Sequence, residues 1–196
     1  PRHLWDLIHQ HYEEFEKGIP TALGIPPQEV ALLTTGVDMD NVALGERCYQ
    51  EFTVSCLATA GIKSNAQRMG IDKATSVERD GKFKDLPGTI NIIISTNATL
   101  SNAAIAQAII TVTEAKTATL QDMDIRSIYS PQKQATGTGT DNVIIVSGRG
   151  PLVKYTGGHA KMGELIGMAT RTAVAKAIEK QNGISLKASP RGSDES

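Results

Sequence analysis

Residues 88–123 read GTINIIISTNATLSNAAIAQAIITVTEAKTATLQDM, and two patterns follow one another within them. From Ile90 to Ile94 the run is apolar apart from Asn91, and Gly88 and the Ser95-Thr96-Asn97 cluster bound it. A short apolar run between turn residues predicts a buried strand over 88–97. Ser101 then stands where a helix N-cap belongs, and Ala, Ile and Leu fill much of the next two dozen positions. This predicts a helix over 100–123, apolar on most sides and therefore heavily buried. Gln107, Glu114 and Gln121 fall seven apart and line one stripe of it.

Working outward, EFTVSCLATAG (51–61) is rich in β-branched and small residues and reads as another strand. ERDGKFKDLPG (78–88) is a polar loop between the two strands. Upstream, Leu4, Trp5, Ile8, Tyr12 and Phe15 recur at helical spacing over 3–17, GIPTALGIPP ends that helix, and Val30–Leu33 reads as a short strand. Downstream, 143–147 reads as a strand, GRGP as a link, and 152–156 as its hairpin partner, with Pro151 limiting the pairing. A C-terminal amphipathic helix over 160–181 turns Met162, Leu165, Ile166, Ala169, Ala173, Val174 and Ile178 inward and Arg171, Lys176, Glu179 and Lys180 outward. Strands interleaved with helices, plus one hairpin, give an α+β class: a mixed β-sheet packed against helices in a single layered domain over 1–185, with α/β as the alternative. Residues 186–196 read as a disordered tail.

Bulk composition narrows the function. The chain has 196 residues, of which 40% are hydrophobic and 21% charged, the composition of a globular domain. A formal net charge of −1 and only 4% aromatic residues argue against a nucleic-acid partner. No apolar run approaches the roughly 20 residues that span a bilayer, so no membrane partner and a cytoplasmic location are expected. Cys48 and Cys56 have neither CxxC nor zinc-finger spacing and are expected to be reduced, packed thiols. HExxH and GxSxG motifs are absent from the sequence, and no close His/acid pair suggests a metal site.

ATGTGTDNVIIVSG (135–148) resembles a phosphate cradle but has the wrong order. Its glycines precede the apparent strand, and no Lys-Ser/Thr follows the last of them, as a P-loop requires. Polar residues also gather where other strands end: Asp38, Asp40 and Asn41 in TTGVDMDN (34–41), Lys63, Ser64, Asn65 and Arg68 in 60–68, and Asn97 in STN. Such loops form turns, and they are also where scaffolds present functional groups. His159 opens a helix, where imidazolium is disfavoured and a neutral base is favoured. Glu114 and Lys116 interrupt the buried helix on different faces, so each needs a partner elsewhere or a cleft.

Six segments together resemble the adenosylcobinamide amidohydrolase family: TTGVDMDN, ATAGIKSNAQRMG, GTINIIISTNATLS, TEAKTATLQD, ATGTGTDNVIIVSG and YTGGHAKMGELIG. They span about residues 33–167 in family order. The resemblance implies hydrolysis of the amide between aminopropanol and a corrin propionate, in cobinamide salvage toward coenzyme B12. The glycine- and threonine-rich loop is then a substrate wall. No cofactor is expected, since cobalt enters with the substrate, and homo-oligomerisation is left open. Amide hydrolysis needs a nucleophile, an oxyanion donor and a proton for the leaving amine. Glu114, Asp141 and His159 are the candidates for proton transfer. Lys116, Asn97 and N–H groups near Gly137–Thr140 are the candidates for holding the oxyanion, and Thr138 or Thr140 is an alternative covalent nucleophile. Asp38, Asn41, Ser64, Asn65, Asn97, Thr140, Asp141 and His159 are expected to converge on one wide cleft that Glu114 reaches. Two readings compete: a non-catalytic corrinoid-binding module attached to a transporter, and a nucleotide-dependent transferase.

Overall fold

The structure, a computed structural model, describes residues 11–74, 77 and 88–186. Two compact units divide the chain after Thr34. In the first, helix α1 (Tyr12–Ala22) continues through Pro20, five residues past the expected end. Its end is set by Gly24, at φ +70°, which lets the amides of Gly24 and Ile25 bond Thr21 O and Pro20 O. Leu4, Trp5 and Ile8 lie outside the described residues. The expected strand Val30–Leu33 does not form. Val30 is extended, at φ −117° and ψ 132°, but it follows a 3-10 turn at Pro27–Glu29 and enters no ladder.

The second unit is built on a four-stranded sheet in the order β1 (Ala43–Tyr49), β2 (Phe52–Ala60), β4 (Ile90–Thr96), β7 (Asn142–Val146). The first two junctions are antiparallel and the third is parallel, so the sheet is mixed as expected and the class is α+β. Two short ladders complete it: β3 (Ala66–Gln67) with β6 (Gly137–Thr138), and β5 (Thr99–Leu100) with β8 (Leu152–Val153).

Strand β1 escapes a reading by hydrophobicity because its inward positions are small. Gly45 is one of them, and a Cβ there would overlap Ala169 O and come 3.0 Å from Ala173 N. The missing side chain lets the C-terminal helix lie directly on the strand. The expected hairpin of 143–147 with 152–156 is also replaced. GRGP packs on the end of β4, with Gly148 N and Gly150 N bonding Ala98 O and Asn97 O. That contact sends Leu152–Val153 to pair in parallel with β5 instead.

Helix α2 (Asn102–Asp122) starts on its predicted cap, since Ser101 Oγ accepts from Ala104 N at 3.2 Å. Its solvent face is wider than the composition predicts: Ile109 and Ile110 are exposed on it together with Glu114. Helix α3 (Lys161–Asn182) buries all seven residues expected to face inward, and Gly183, at φ +71°, ends it. Both helices lie on one face of the sheet, over Val54, Cys56, Ala58, Ile90, Ile92 and Ile94. Cys56 is therefore packed, whereas Cys48 is exposed. The loop 78–87 and the tail 187–196 lie outside the described residues. No described helix is long and apolar enough to cross a membrane.

Candidate functional site

Because β4 and β7 run parallel, their N-terminal ends open on the same side of the sheet, and Asp141 sits at that end immediately before β7. Its carboxylate is a hub. Oδ1 accepts from Ile90 N (3.0 Å) and Thr138 Oγ1 (2.5 Å), and Oδ2 accepts from Thr138 N (3.0 Å) and Lys116 Nζ (2.5 Å). Four donors fill the lone-pair sites of a carboxylate. Lys116 comes from the second half of α2 and is 8% exposed, so the pair is a buried one. Gly137 makes the approach possible, because a Cβ there would overlap Asp141 Oδ2 and sit 2.7 Å from Lys116 Nζ. The glycine-threonine loop thus cradles an ion pair of this chain.

Asn65 adjoins the hub and is fully buried. Its Nδ2 donates to Gly88 O (3.2 Å), and its Oδ1 accepts from Tyr129 OH (3.1 Å). Thr140 Oγ1 donates to the same Gly88 carbonyl (2.8 Å), while Thr140 O accepts from Thr89 Oγ1 (2.7 Å). Ser64 lies beside Gly88, whose Cβ would stand 2.8 Å from Ser64 Oγ. Lys116, Thr138, Asp141, Ser64, Asn65 and Thr140 therefore meet at one end of the sheet. Thr89, Gly88 and Tyr129 complete the cluster and were not singled out from the sequence. The carbonyl of Gly88 and the amide of Ile90 carry no side-chain signal, although both belong to the strand entry GTI.

A second carboxylate lies nearby. Asp72 Oδ2 accepts from Arg68 N and Ser127 Oγ, both at 2.5 Å. Desolvation raises the Asp72 pKa, but hydrogen bonds from Ser127, Ser130 and the Arg68 amide outweigh it and hold the group below the ordinary carboxylate value.

The other expected members do not join them. Asn97 lies past the far end of β4, where it accepts from Thr53 N (2.9 Å) and donates to Glu51 O (2.6 Å). His159 is at that far end too: it is exposed, edge-on to Tyr155 at 6.0 Å, and precedes the N-cap residue Ala160 by one position. Three residues on, Met162 Sδ lies 3.9 Å from Thr96 Oγ1. Six residues of strand separate Ile90 from Thr96, about 20 Å, so His159 and Asp141 do not act on one bond in this arrangement. Glu114 is exposed rather than desolvated. Two residues before Lys116, it points about 200° around the helix from the ion pair. Asp38 caps a 3-10 turn, accepting from Asp40 N (3.0 Å), and Asn41 Nδ2 donates to Gln181 Oε1 (2.6 Å). These two stand beyond β1, the opposite edge of the sheet from β7. The expected convergence is thus corrected: polar loops at strand ends are shared between two ends and two edges.

The hub's chemistry is that of a fixed ammonium. Asp141 takes one of the three Lys116 N–H groups, and the dry surroundings strengthen what the others can do for a developing negative charge. Among the described residues, no three His, Cys, Asp or Glu side chains gather as metal ligands do.

Comparison with known proteins bears on what such a site serves. The adenosylcobinamide amidohydrolase family model matches residues 3–186. The uncharacterized protein MJ1613 of Methanocaldococcus jannaschii is 45% identical over 196 residues, covering 95% of this chain and 76% of its own length. The adenosylcobinamide amidohydrolase of Halobacterium salinarum is 30% identical over 158 residues, which is 80% of this chain and 61% of that protein. No solved structure matches the chain significantly. The family match runs through every element of the site and almost the whole sequence: the chain belongs to the adenosylcobinamide amidohydrolase family.

Proposed function

We propose that this protein hydrolyses the amide linking aminopropanol to the corrin propionate of adenosylcobinamide, releasing adenosylcobyric acid and 1-amino-2-propanol for cobinamide salvage. Family membership supports the substrate, and the observation that carries the chemistry is the buried Lys116–Asp141 pair. An amide resists attack because its carbonyl is a poor electrophile. An ammonium held in a dry site stabilises the oxyanion of the tetrahedral intermediate without having to reorganise. With both of its oxygens engaged, Asp141 holds the Lys116 side chain in place.

The contact from Thr138 Oγ1 to Asp141 Oδ1 favours a second version of the same reaction. In it the Thr138 hydroxyl attacks the amide carbon, its proton passes to Asp141 and on to the leaving amine, and water then cleaves the ester. Purified protein incubated with adenosylcobinamide and no nucleotide should release aminopropanol, detected by mass spectrometry. Lys116→Met should cost roughly 10²–10³-fold in kcat, the range for losing one oxyanion donor. A corrinoid adduct on the protein in rapidly quenched samples distinguishes the Thr138 version from direct attack by water. Corrinoid retained by folded protein with no amine released would make the protein a binding module and refute hydrolysis.

A further inference from the structure

Asn65 makes no bond to the ion pair, yet it touches the segments that shape it. It has no exposed surface, and both ends of its carboxamide are engaged, Oδ1 by the Tyr129 hydroxyl and Nδ2 by the Gly88 carbonyl. The carboxamide also lies against the glycine-threonine loop: a Cβ on Gly139 would stand 2.9 Å from Nδ2 and 3.2 Å from Oδ1. Gly88 O can only accept, so it fixes which end of the amide faces it, and the Tyr129 hydroxyl then satisfies the other end.

These contacts lead to the hub by three routes. Gly139 sits between Thr138, whose amide and hydroxyl both donate to Asp141, and Thr140, whose hydroxyl shares the Gly88 carbonyl with Asn65. Two residues beyond Gly88, the Ile90 amide donates to Asp141 Oδ1. Ala66, which follows Asn65, is the ladder partner of Thr138. The turn that supplies the Tyr129 hydroxyl is itself tied down. Tyr129 N and Ser130 N each donate to Ser127 Oγ at 3.0 Å, Ser127 Oγ donates to Asp72, and Ile128 N donates to Ala66 O at 2.9 Å.

We propose that Asn65 is a positioning residue for amide hydrolysis and that the Tyr129 hydroxyl locks its carboxamide, an inference that rests on the amidohydrolase reading. Fully buried, Asn65 does not touch substrate in this arrangement. It acts through the loop, the strand entry and the ladder that together set where Asp141 holds Lys116. Without the Tyr129 hydroxyl, Oδ1 is a buried acceptor with no donor, and the amide must shift to satisfy it. That shift moves Gly88 and Gly139, and with them the groups that place the ammonium against the amide carbonyl of the substrate.

Tyr129→Phe removes only the hydroxyl from a ring that is 38% exposed, so this variant should fold. Asn65→Asp keeps the shape of the side chain and sets an acceptor opposite Gly88 O. Turnover of adenosylcobinamide is measured well below the unfolding midpoint that circular dichroism gives for each variant. Asn65→Asp should lower kcat about 100-fold, the cost of misplacing a reacting group by roughly 1 Å. Tyr129→Phe should lower it about tenfold, as for one lost hydrogen bond, and KM should hold in both. In the double variant the two losses should be less than multiplicative, because they act through one contact. A lower midpoint with wild-type kcat would make Asn65 structural and overturn the proposal. So would a rise in KM at constant kcat, which marks a substrate contact. If Asn65→Asp does not fold, Tyr129→Phe decides by the same two criteria. A wild-type protein that releases no aminopropanol would refute the amidohydrolase reading, and this inference with it.

Discussion

Asp141 and Lys116 each lose most of their hydration in the fold, their side chains being 13% and 10% exposed. Each is tolerable because the other is there. Removing one partner of a buried pair costs about 3–5 kcal/mol, since an uncompensated charge remains, whereas replacing both with apolar groups is often far milder. Lys116→Met and Asp141→Leu should therefore each lower the urea midpoint, and the double variant should be more stable than the sum of the two losses. Strict additivity would mean the charges are not coupled. Asp72 offers a titration with a defined sign. Its folded pKa is depressed, so its contribution to stability is present above the unfolded value of about 3.9 and is lost as pH falls through the folded value. Asp72→Asn should flatten that part of the acid limb in urea melts at successive pH values, with little change in the slope at neutral pH.

Between strand and helix, the backbones come close together at Gly45. Alanine there would push its Cβ into the carbonyl of Ala169, and neither backbone can give way cheaply. Gly45→Ala should therefore destabilise by about 1–3 kcal/mol, the range for overpacking, with helical circular dichroism retained below the new midpoint. The same contact shows why β1 was hidden. Ala43 and Gly45 bury backbone and small side chains, so the strand lacks the apolar signal that made 90–96 obvious. Val30–Leu33 had that signal but pairs with no strand among the described residues. The two long helices were legible to within a residue or two at each end because cap, period and inward face agreed at Ser101 and along Met162–Ile178. Glu114 misled because apolar neighbours do not guarantee burial when Ile109 and Ile110 themselves face solvent.

Across the whole molecule, half of the candidate site could be read and half could not, for one geometric reason. A strand has two ends, and in a mixed sheet the sequence does not say which ends share a side. Asn65, Thr138, Thr140 and Asp141 fall together because β4 and β7 are parallel, while Asn97 and His159 lie a strand length away. Global opening can be followed through the two thiols. Burial pushes the Cys56 thiol up to about 12, and the residue has no exposed surface. It should resist a thiol reagent at pH 8 until the protein unfolds, whereas exposed Cys48 reacts at once. A second thiol labelled rapidly in native buffer would show that the sheet opens beneath α3 without global unfolding.

The hydrogen bond from Ile90 N to Asp141 Oδ1 closes a span of 51 residues, with the whole of α2 inside the loop. Parallel pairing across such a distance offers no short hairpin on which to nucleate, so its closure entropy must be met before any contact rewards it. The β1–β2 hairpin and α2 can form early in refolding, and β7 should join last. Catalytic competence would then be a late kinetic event rather than a gradual one. In stopped-flow refolding, the far-ultraviolet signal should recover ahead of the proposed aminopropanol release, and a slowest phase that tracks the far-ultraviolet signal rather than activity would overturn this order.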